Sequence, residues 1–304
     1  QNNLNKILNK LTNKIDMRLI SAKTILGLSA LLLTAACTDE QAENPADGAR
    51  PIAFTPAAET RTAVEGTTLP ADFNVWGGYD NNATNVFNGV TVQYPNWTYT
   101  GGPQYWIPGK TYNFYGVYPT GVGSCNNSGV ITVDNFDCSN AVDLMTATAT
   151  GDGSNPKPVA MEFKHQLSKV NIIATVEGGN CIVNSVTFSG MATKGSYNST
   201  SGWSNTTTGS FISSESKALD TTGVDLLGNL LLIPQTVTEE FKINVNYTLD
   251  GEAQTKEISL PTSIGQWEAG QSYKYTLTFK GNNIIFTVNV ASWGHSTGGI
   301  ITVE

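Results

Sequence analysis

Hydrophobic and polar residues alternate along most of this chain in short runs, and Gly, Asn and Pro separate the runs. Segments such as "FNVWGGY" (73–79) and "FKINVNYTL" (241–249) place apolar side chains on one face of an extended chain. Many short runs between turn residues are typical of a β-sandwich. The pattern predicts strands at 51–55, 73–79, 85–94, 96–100, 105–119, 129–136, 161–176, 181–189, 229–233, 241–249, 256–260, 272–280 and 283–290.

A stretch rich in Gly, Pro and Asp, "TATGDGSNPKPVA" (148–160), interrupts the strand pattern near the middle of the chain. Because such stretches commonly link compact units, we predict an all-β protein with two tandem β-sandwich domains, residues 51–155 and 156–304. The region 190–222 is rich in Ser, Thr, Asn and Gly, which predicts a hairpin or a long surface loop.

The segment 17–36 has the pattern of an export signal that ends at a cysteine. Arg18 and Lys23 accompany an apolar core that is too short to span a bilayer, and small residues follow before Cys37. We interpret 17–36 as a lipoprotein signal peptide and Cys37 as the acylated residue, with ordinary cleavage near Ala36 as the alternative. Each buried acyl CH₂ contributes about 0.8 kcal/mol, so several acyl chains would hold the protein firmly at a membrane.

Two segments flank this signal, one before it and one after it. Residues 1–16 lie upstream of a start at Met17 and are interpreted as a non-native extension. Residues 37–50 are polar and small after the cysteine, which predicts a flexible tether between the membrane and the first strand.

Charge and composition narrow the range of functions. The 304 residues carry a formal net charge of -8, and 14% of them are charged whereas 39% are hydrophobic. Nucleic-acid binding needs a basic face, so the acidic balance argues against it. A chain poor in Glu, Lys and Arg but rich in Thr, Asn, Ser and Gly favours strands and turns over helices.

Residues that would support catalysis or metal binding are scarce. His165 and His295 are the two histidines, no G-x-S-x-G motif occurs, and no histidine pair has metal-ligand spacing. Strand alternation places His165 on the same face as Phe163 and Leu167, which indicates a packed core residue rather than a base. The sequence therefore predicts a protein that is not an enzyme and that uses no cofactor or metal.

Tryptophan and cysteine positions suggest three further features. Most of the tryptophans lie in predicted strands, but Trp203 lies in the polar region and is the best candidate for an exposed contact with a glycan or a partner. Cys125 and Cys138 flank a predicted strand, and in an exported protein this spacing permits a disulfide. Cys181, next to Ile182, is predicted to be a buried thiol.

Several longer segments follow one another in a characteristic order: "YWIPGKTYNFYGVYP" (105–119), "VDLMTATATG" (142–151), "MEFKHQLSKVNIIATV" (161–176), and "WEAGQSYKYTLTF" with "IIFTVNVASW" (267–293). This ordered set, behind a lipoprotein signal, resembles the fimbrillin-like proteins of Bacteroidales, the subunits of type V pili. The resemblance runs from about Ile52 to the C-terminus. It implies transthyretin-like β-sandwich domains, a location at the outer membrane or cell surface within a fimbrium, and a role in adhesion.

The resemblance also implies an assembly mechanism. Such subunits arrive as lipoproteins, an Arg-specific protease removes the anchor with the first strand, and a strand from a neighbouring fimbrillin subunit fills the groove. Arg61 is the expected cleavage site because Thr62 follows it in a loop. Arg50, which precedes Pro51, is the alternative.

The candidate donor strand lies in the last residues of the given sequence. In "GGIITVE" (298–304) the candidate donor residues are Ile300, Ile301, Thr302 and Val303. The alternative is that they form the last strand of their own domain. The other function considered is a surface lipoprotein that binds glycans or a host ligand without polymerising.

Overall fold

The computed structural model describes residues 48–58, 71–281, 283–293 and 299–303. Within these ranges almost all regular structure is β-strand, which confirms the all-β, sandwich-type prediction. None of the described residues belongs to a helix long and apolar enough to cross a bilayer. The following predicted features lie outside the described residues: the extension 1–16, the signal 17–36, Cys37, most of the tether 37–50, and Arg61.

Twenty strands run through the described residues, joined by turns and by two short 3-10 helices, Cys138–Asn140 and Thr262–Ile264. In chain order the strands are β1 (Phe54–Ala58), β2 (Phe73–Tyr79), β3 (Phe87–Gln93), β4 (Thr98–Tyr99), β5 (Thr111–Tyr118), β6 (Gly123–Cys125), β7 (Ile131–Asp137), β8 (Met145–Asp152), β9 (Val159–His165), β10 (Ser168–Val176), β11 (Cys181–Asn198), β12 (Gly202–Ser213), β13 (Lys217–Ala218), β14 (Val224–Asp225), β15 (Leu230–Leu232), β16 (Lys242–Leu249), β17 (Glu252–Ser259), β18 (Gln271–Lys280), β19 (Asn283–Ser292) and β20 (Gly299–Val303). The hairpin predicted within 190–222 is confirmed by the pairing of β11 with β12.

The first sheet folds over on itself and forms a sandwich of two layers. Its strand order is β1-β9-β8-β5-β2-β3-β4. β8 and β9 pair only at Met145–Thr146 and Lys164–His165, and this short ladder is the corner at which the sheet turns. The Phe163 ring on β9 lies 5.0 Å from the Phe73 ring on β2, although two strands separate β9 from β2 in the hydrogen-bonded order. β9 and β1 therefore pack as a second layer over the remaining strands.

The two layers approach closely over β5 because residue 116 has no side chain. A Cβ atom at Gly116 would lie 2.8 Å from the Phe163 ring and 2.9 Å from the methyl group of Met161, so a larger residue would push β9 outward. The apolar side chains enclosed by the layers are Ile52, Phe54, Phe73, Val75, Phe87, Val92, Trp106, Tyr112, Phe114, Met145, Ala147, Val159, Met161 and Phe163.

Two further sheets, built mainly from the second half of the chain, pack face to face. One has the strand order β14-β10-β18-β19-β20, with β15 also paired to β10. The other has the order β17-β16-β11-β7-β6, with β12 and β13 also paired to β11. Tyr247 on β16 and Phe279 on β18 meet edge to face with ring centroids 4.9 Å apart. Trp267 is fully buried in the same core, and its indole N–H donates to the Tyr275 hydroxyl at 2.9 Å.

Strand pairing crosses the boundary predicted between residues 155 and 156, so the limits 51–155 and 156–304 need correction. β9 lies beyond that boundary but belongs to the first sheet, whereas β6 and β7 lie before it but join β11 in the third sheet. Asp137 at the end of β7 pairs with Lys194 on β11, and their charged groups lie 2.9 Å apart. A linker-like composition marks a turn, but it does not determine which sheet the next strand enters.

The disulfide that the spacing of Cys125 and Cys138 permits is not formed, since both residues are free, buried thiols. Cys125 lies opposite Ile131 at the start of β7, whereas Cys138 follows the far end of that strand. Seven residues of extended chain span about 23 Å, and the Cα atoms of a disulfide must lie within about 7 Å of each other. Cys181 is a buried thiol, as predicted.

Candidate functional site

The first strand, β1, is held at the edge of its sheet. Within the described residues it pairs with β9 alone, in parallel and over its whole length. Val159 N–H on β9 donates to Ala53 O at 2.7 Å, and the Thr55 hydroxyl donates to Val159 O at 3.3 Å. The strand predicted at 51–55 thus belongs to a sheet, although its regular part lies a few residues later. Because β1 lies at an edge, its departure breaks one ladder.

Phe54 anchors β1 in the core of the first sandwich. Its ring contacts four others at centroid distances of 5.4–6.2 Å, those of Phe73, Phe87, Tyr99 and Phe114. Ile52, two residues earlier on the same face, is 1% exposed. Burying a large apolar side chain contributes roughly 1.5–3 kcal/mol, so these two residues hold β1 with about 3–6 kcal/mol.

Backbone hydrogen bonds fix the chain just before β1. Arg50 O accepts from Trp106 N–H at 3.0 Å, and Ile52 N–H donates to Gln104 O at 2.7 Å. The Tyr99 hydroxyl donates to Ile52 O at 2.9 Å. The backbone of Arg50, the alternative cleavage site, is therefore tied to a neighbouring segment, and a proline follows it.

One side of the first sandwich is open. Beyond the short ladder between β8 and β9 the two strands diverge, and a cleft of about 600 Å³ lies between them. We call this cleft the seam; it is lined by residues 148–152 of β8, by residues 157–160 and Glu162 just before and within β9, and by Trp106, Thr111 and Asn155. Along this part of β8 and β9 no ladder joins the two layers of the sandwich in the described residues.

The C-terminal residues form an edge strand of their own sheet. β20 pairs antiparallel with β19, from Gly299 opposite Val290 to Val303 opposite Phe286. This is the arrangement that the sequence left as the alternative to a donor strand for Ile300, Ile301, Thr302 and Val303. A role as a donor therefore requires β20 to leave β19.

His165 lies in a compact cluster of three side chains. Its Nδ1 lies 2.5 Å from Asp143 Oδ2, and its ring stacks on Trp293 with centroids 3.9 Å apart. The side chains of His165 and Asp143 are 9% and 13% exposed. Burial raises the pKa of Asp143, although the hydrogen bond with His165 opposes this shift. This environment fits the prediction of a packed, hydrogen-bonded core histidine; His295 lies outside the described residues.

Metal-binding groups do not converge in the part of the chain that the structure describes. No set of three His, Cys, Asp or Glu side chains there could hold a metal ion.

Trp203 is not the exposed ring that the sequence suggested. It is half-buried, its ring centroid lies 5.5 Å from that of Tyr197 and 6.1 Å from that of Phe136, and its indole N–H donates to Gln166 O at 3.0 Å. The expectation of exposure is wrong because the polar region folds as a hairpin that lays Trp203 on the core. Trp203 therefore presents no free aromatic platform for a glycan.

Sequence reasoning missed the seam and the partner of His165. In "TATATG" (146–151) the residues facing inward are Ala147, Ala149 and Gly151, and the Trp106 ring, which lines the seam, lies where a side chain at residue 151 would be. These small residues were the available signal that another side chain lies close to β8. The contact between Asp143 and His165 could not be predicted from the sequence, because the two residues are 22 positions apart and the fold of the segment between β7 and β8 brings them together.

Comparisons with known proteins give one family match and several solved structures of similar fold. The sequence profile described as fimbrillin-like matches residues 53–293. A fimbrial protein from Bacteroides vulgatus ATCC 8482 aligns with a TM-score of 0.59 and 21% identity over 80% of this chain and 99% of its own. A proposed cell adhesion protein from Bacteroides uniformis ATCC 8492 aligns with a TM-score of 0.54 and 20% identity, again over 80% and 99%. At such identities the solved structures show similarity in fold alone. No curated protein matches the chain.

Proposed function

The chain belongs to the fimbrillin-like family, and on this premise we propose that it joins its neighbours in a fimbria by exchanging its first strand for one of theirs. Membership itself makes the chain a fimbria-related adhesion subunit of the cell surface, which assembles with other fimbrillin subunits and is not an enzyme. The observation that supports strand exchange is the position of β1.

β1 covers the core of a sandwich whose second layer has one other strand, β9. Its removal would uncover the aromatic rings that Phe54 contacts and would leave one edge of β9 unpaired. Exposed apolar surface and an open edge both favour capture of another strand. An extended segment with an apolar residue at every second position would restore the ladder and refill the places of Ile52 and Phe54.

Arg61 is the cleavage site that would release β1. A cut after Arg50 leaves β1 in the same piece as the rest of the domain, so it cannot free the strand. A cut after Arg61 separates the whole of 54–58 from the remaining chain. An Arg-specific protease that acts at Arg61 would remove the lipid anchor on Cys37 and the strand in one step. Before that cut, acylated Cys37 holds the subunit at the outer membrane.

The donor in this proposal is the C-terminal strand of a neighbouring copy. Ile301 and Val303 have the same two-residue spacing as Ile52 and Phe54, so an extended donor presents two apolar side chains on one face. β20 lies at the edge of its sheet and is held by one ladder, to β19, which limits the number of hydrogen bonds that its release breaks.

The test compares surface extracts of cells that make the natural chain, the Arg61→Ala variant or the Arg50→Ala variant. The natural chain and Arg50→Ala should begin at Thr62 by mass spectrometry, and unheated samples should form a ladder of SDS-resistant polymers. Arg61→Ala should keep an acylated Cys37 at its N-terminus and should run as a monomer. Natural surface protein that still begins at Cys37, or an Arg61→Ala protein that polymerises normally, would show that the proposal is wrong.

A further inference from the structure

The seam exposes backbone groups that a strand could pair with. Gln166 N–H donates to Leu144 O at 2.8 Å, next to the short ladder that joins β8 to β9. The alternation of an antiparallel ladder then directs the backbone groups of every second residue toward the seam, including Ala160 on β9 and Thr150 on β8. The ladder ends before it reaches either residue. Both strands thus have an edge free for pairing.

The walls of the seam have the alternation that suits an inserted strand. Thr148 and Thr150 are exposed on the outer face of β8, whereas Ala149 and Gly151 lie on the inner face beside Trp106. Gly151 and Trp106 are in close contact, since a Cβ atom at Gly151 would lie 2.3 Å from the indole ring. The Trp106 indole therefore fills the space above Gly151, and together with Val159 it gives the seam an apolar surface on which side chains of an incoming strand can pack; Asp152, Lys157 and Glu162 also line the cleft.

The chain's own tether is a poor occupant. Its residues 38–47, "TDEQAENPAD", include no Val, Ile, Leu, Met or aromatic side chain, so they have nothing large and apolar to pack on Trp106 and Val159, which line the seam. The C-terminal strand has the required pattern. β20 has five residues, equal to the span 148–152, and in an extended conformation Ile301 and Val303 share one face while Ile300 and Thr302 share the other.

We propose that the seam is a docking site for residues 299–303 of a second copy of this chain, occupied while β1 is still in place. This inference rests on the proposed function, because it uses the same donor segment. It differs in location: the seam lies along the edge of β9 that faces away from β1. Uncut copies can therefore associate before proteolysis, and a donor strand is already beside β9 when β1 is released.

The first experiment uses a chain in which Cys37→Ser prevents acylation and Arg61→Ala retains β1. The probe is a fluorescently labelled synthetic peptide of residues 298–304, and fluorescence anisotropy measures its binding. A control peptide with Ile301→Ser and Val303→Ser has the same length and charge but no apolar face. We expect binding of the natural peptide and at least about tenfold weaker binding of the control. Equal affinity of the two peptides, or no binding of either, would overturn the proposal.

The second experiment locates the peptide by cross-linking. Thr55 and Ala160 lie opposite each other on β1 and β9, and both side chains are exposed, so they make a matched pair of cysteine positions. A disulfide needs Cα atoms within about 7 Å, which a strand beside β9 satisfies and a strand two positions away does not. Peptides carrying cysteine at Ile300 or Thr302 should cross-link to Ala160→Cys and not to Thr55→Cys. Cross-linking to Thr55→Cys and not to Ala160→Cys would place the peptide beside the free edge of β1 and would overturn the inference.

The outcomes separate this inference from the proposed function. Thr150→Pro removes a backbone donor at the seam without touching β1. If cells that make Thr150→Pro form normal polymer ladders and the folded variant binds the peptide as tightly as the parent chain, docking at the seam is wrong and strand exchange stands. If the peptide cross-links to Ala160→Cys but Arg61 is never cut in cells, strand exchange is wrong and the docking site stands. Circular dichroism and thermal melting verify that each variant is folded.

Discussion

The His165 imidazole stacks on the Trp293 indole, with ring centroids 3.9 Å apart and planes inclined by 6°. His165 ends β9 of the first sandwich, whereas Trp293 directly follows β19 of the second sheet. Asp143 hydrogen-bonds to the same imidazole, and Lys169 Nζ lies 6.0 Å from the indole ring. These contacts form one of the connections between the two sandwiches, beside others such as the packing of Trp76 and Val117 in the second core.

Loss of the imidazole at this junction should lower the free energy of unfolding. In His165→Phe an aromatic ring remains to stack on Trp293, but the Asp143 carboxyl loses its partner while still buried. Removing one partner of a buried pair commonly costs roughly 3–5 kcal/mol. We expect a decrease of that order in the free energy of unfolding, measured by urea denaturation.

A double variant tests the reason for this loss. His165→Phe combined with Asp143→Ala removes the unpaired carboxyl, so it should be more stable than His165→Phe alone. The exposed ion pair between Lys280 and Glu177, 3.0 Å apart, supplies the control, and Glu177→Gln should change stability much less. If the double variant loses as much free energy of unfolding as His165→Phe and Asp143→Ala lose when added together, the unpaired carboxyl is not the source of the loss.

The lowered pKa of Asp137 should make the stability of the fold depend on pH in the acid range. Hydrogen bonds from Ser139 and the Lys194 ammonium lower its pKa from 3.8 to about 2. Because the folded-state pKa is lowered, Asp137 stabilises the fold above the unfolded value of 3.8 and loses this contribution as the pH falls toward 2. The stability difference between the natural chain and Asp137→Asn should therefore shrink from about pH 6 to about pH 2 in urea denaturation. A constant difference across that range would contradict the assignment.

The local pattern predicted strands well, but it could not predict which strands meet. Alternation placed Phe163 and Leu167 in the core, and both are fully buried. The partners of His165 lie 22 residues before it and in the last strand region, and no local rule connects such positions. For the same reason the Gly- and Pro-rich turn at 153–158 was read as a domain boundary, although β9, after it, returns to the first sheet. Pairing between distant strands depends on the whole core, which single-sequence periodicity does not contain.

The three described cysteines should behave as buried thiols. Burial raises the pKa of Cys125 to about 11, that of Cys138 to about 12 and that of Cys181 to about 11, so few thiolates form near neutral pH. In a Cys37→Ser chain, iodoacetamide should label none of them before unfolding and all of them in denaturant. Peptide mapping under non-reducing conditions checks the corrected pairing, since a peptide linking Cys125 to Cys138 would contradict it.

Release of β1 should depend on Phe54 far more than on its exposed neighbour Thr55. Truncating a buried phenylalanine to alanine typically costs roughly 3–5 kcal/mol, because transfer energy is lost and a cavity remains. Phe54→Ala should lower the stability of the first sandwich by about this amount, whereas Thr55→Ala, on the solvent face, should change it by less than about 1 kcal/mol. After cleavage at Arg61 by an Arg-specific protease in vitro, the fragment that contains β1 should dissociate faster from Phe54→Ala than from Thr55→Ala, as followed by size-exclusion chromatography with mass spectrometry. Equal dissociation rates would mean that the ladder to β9, rather than the aromatic anchor, controls when the strand leaves.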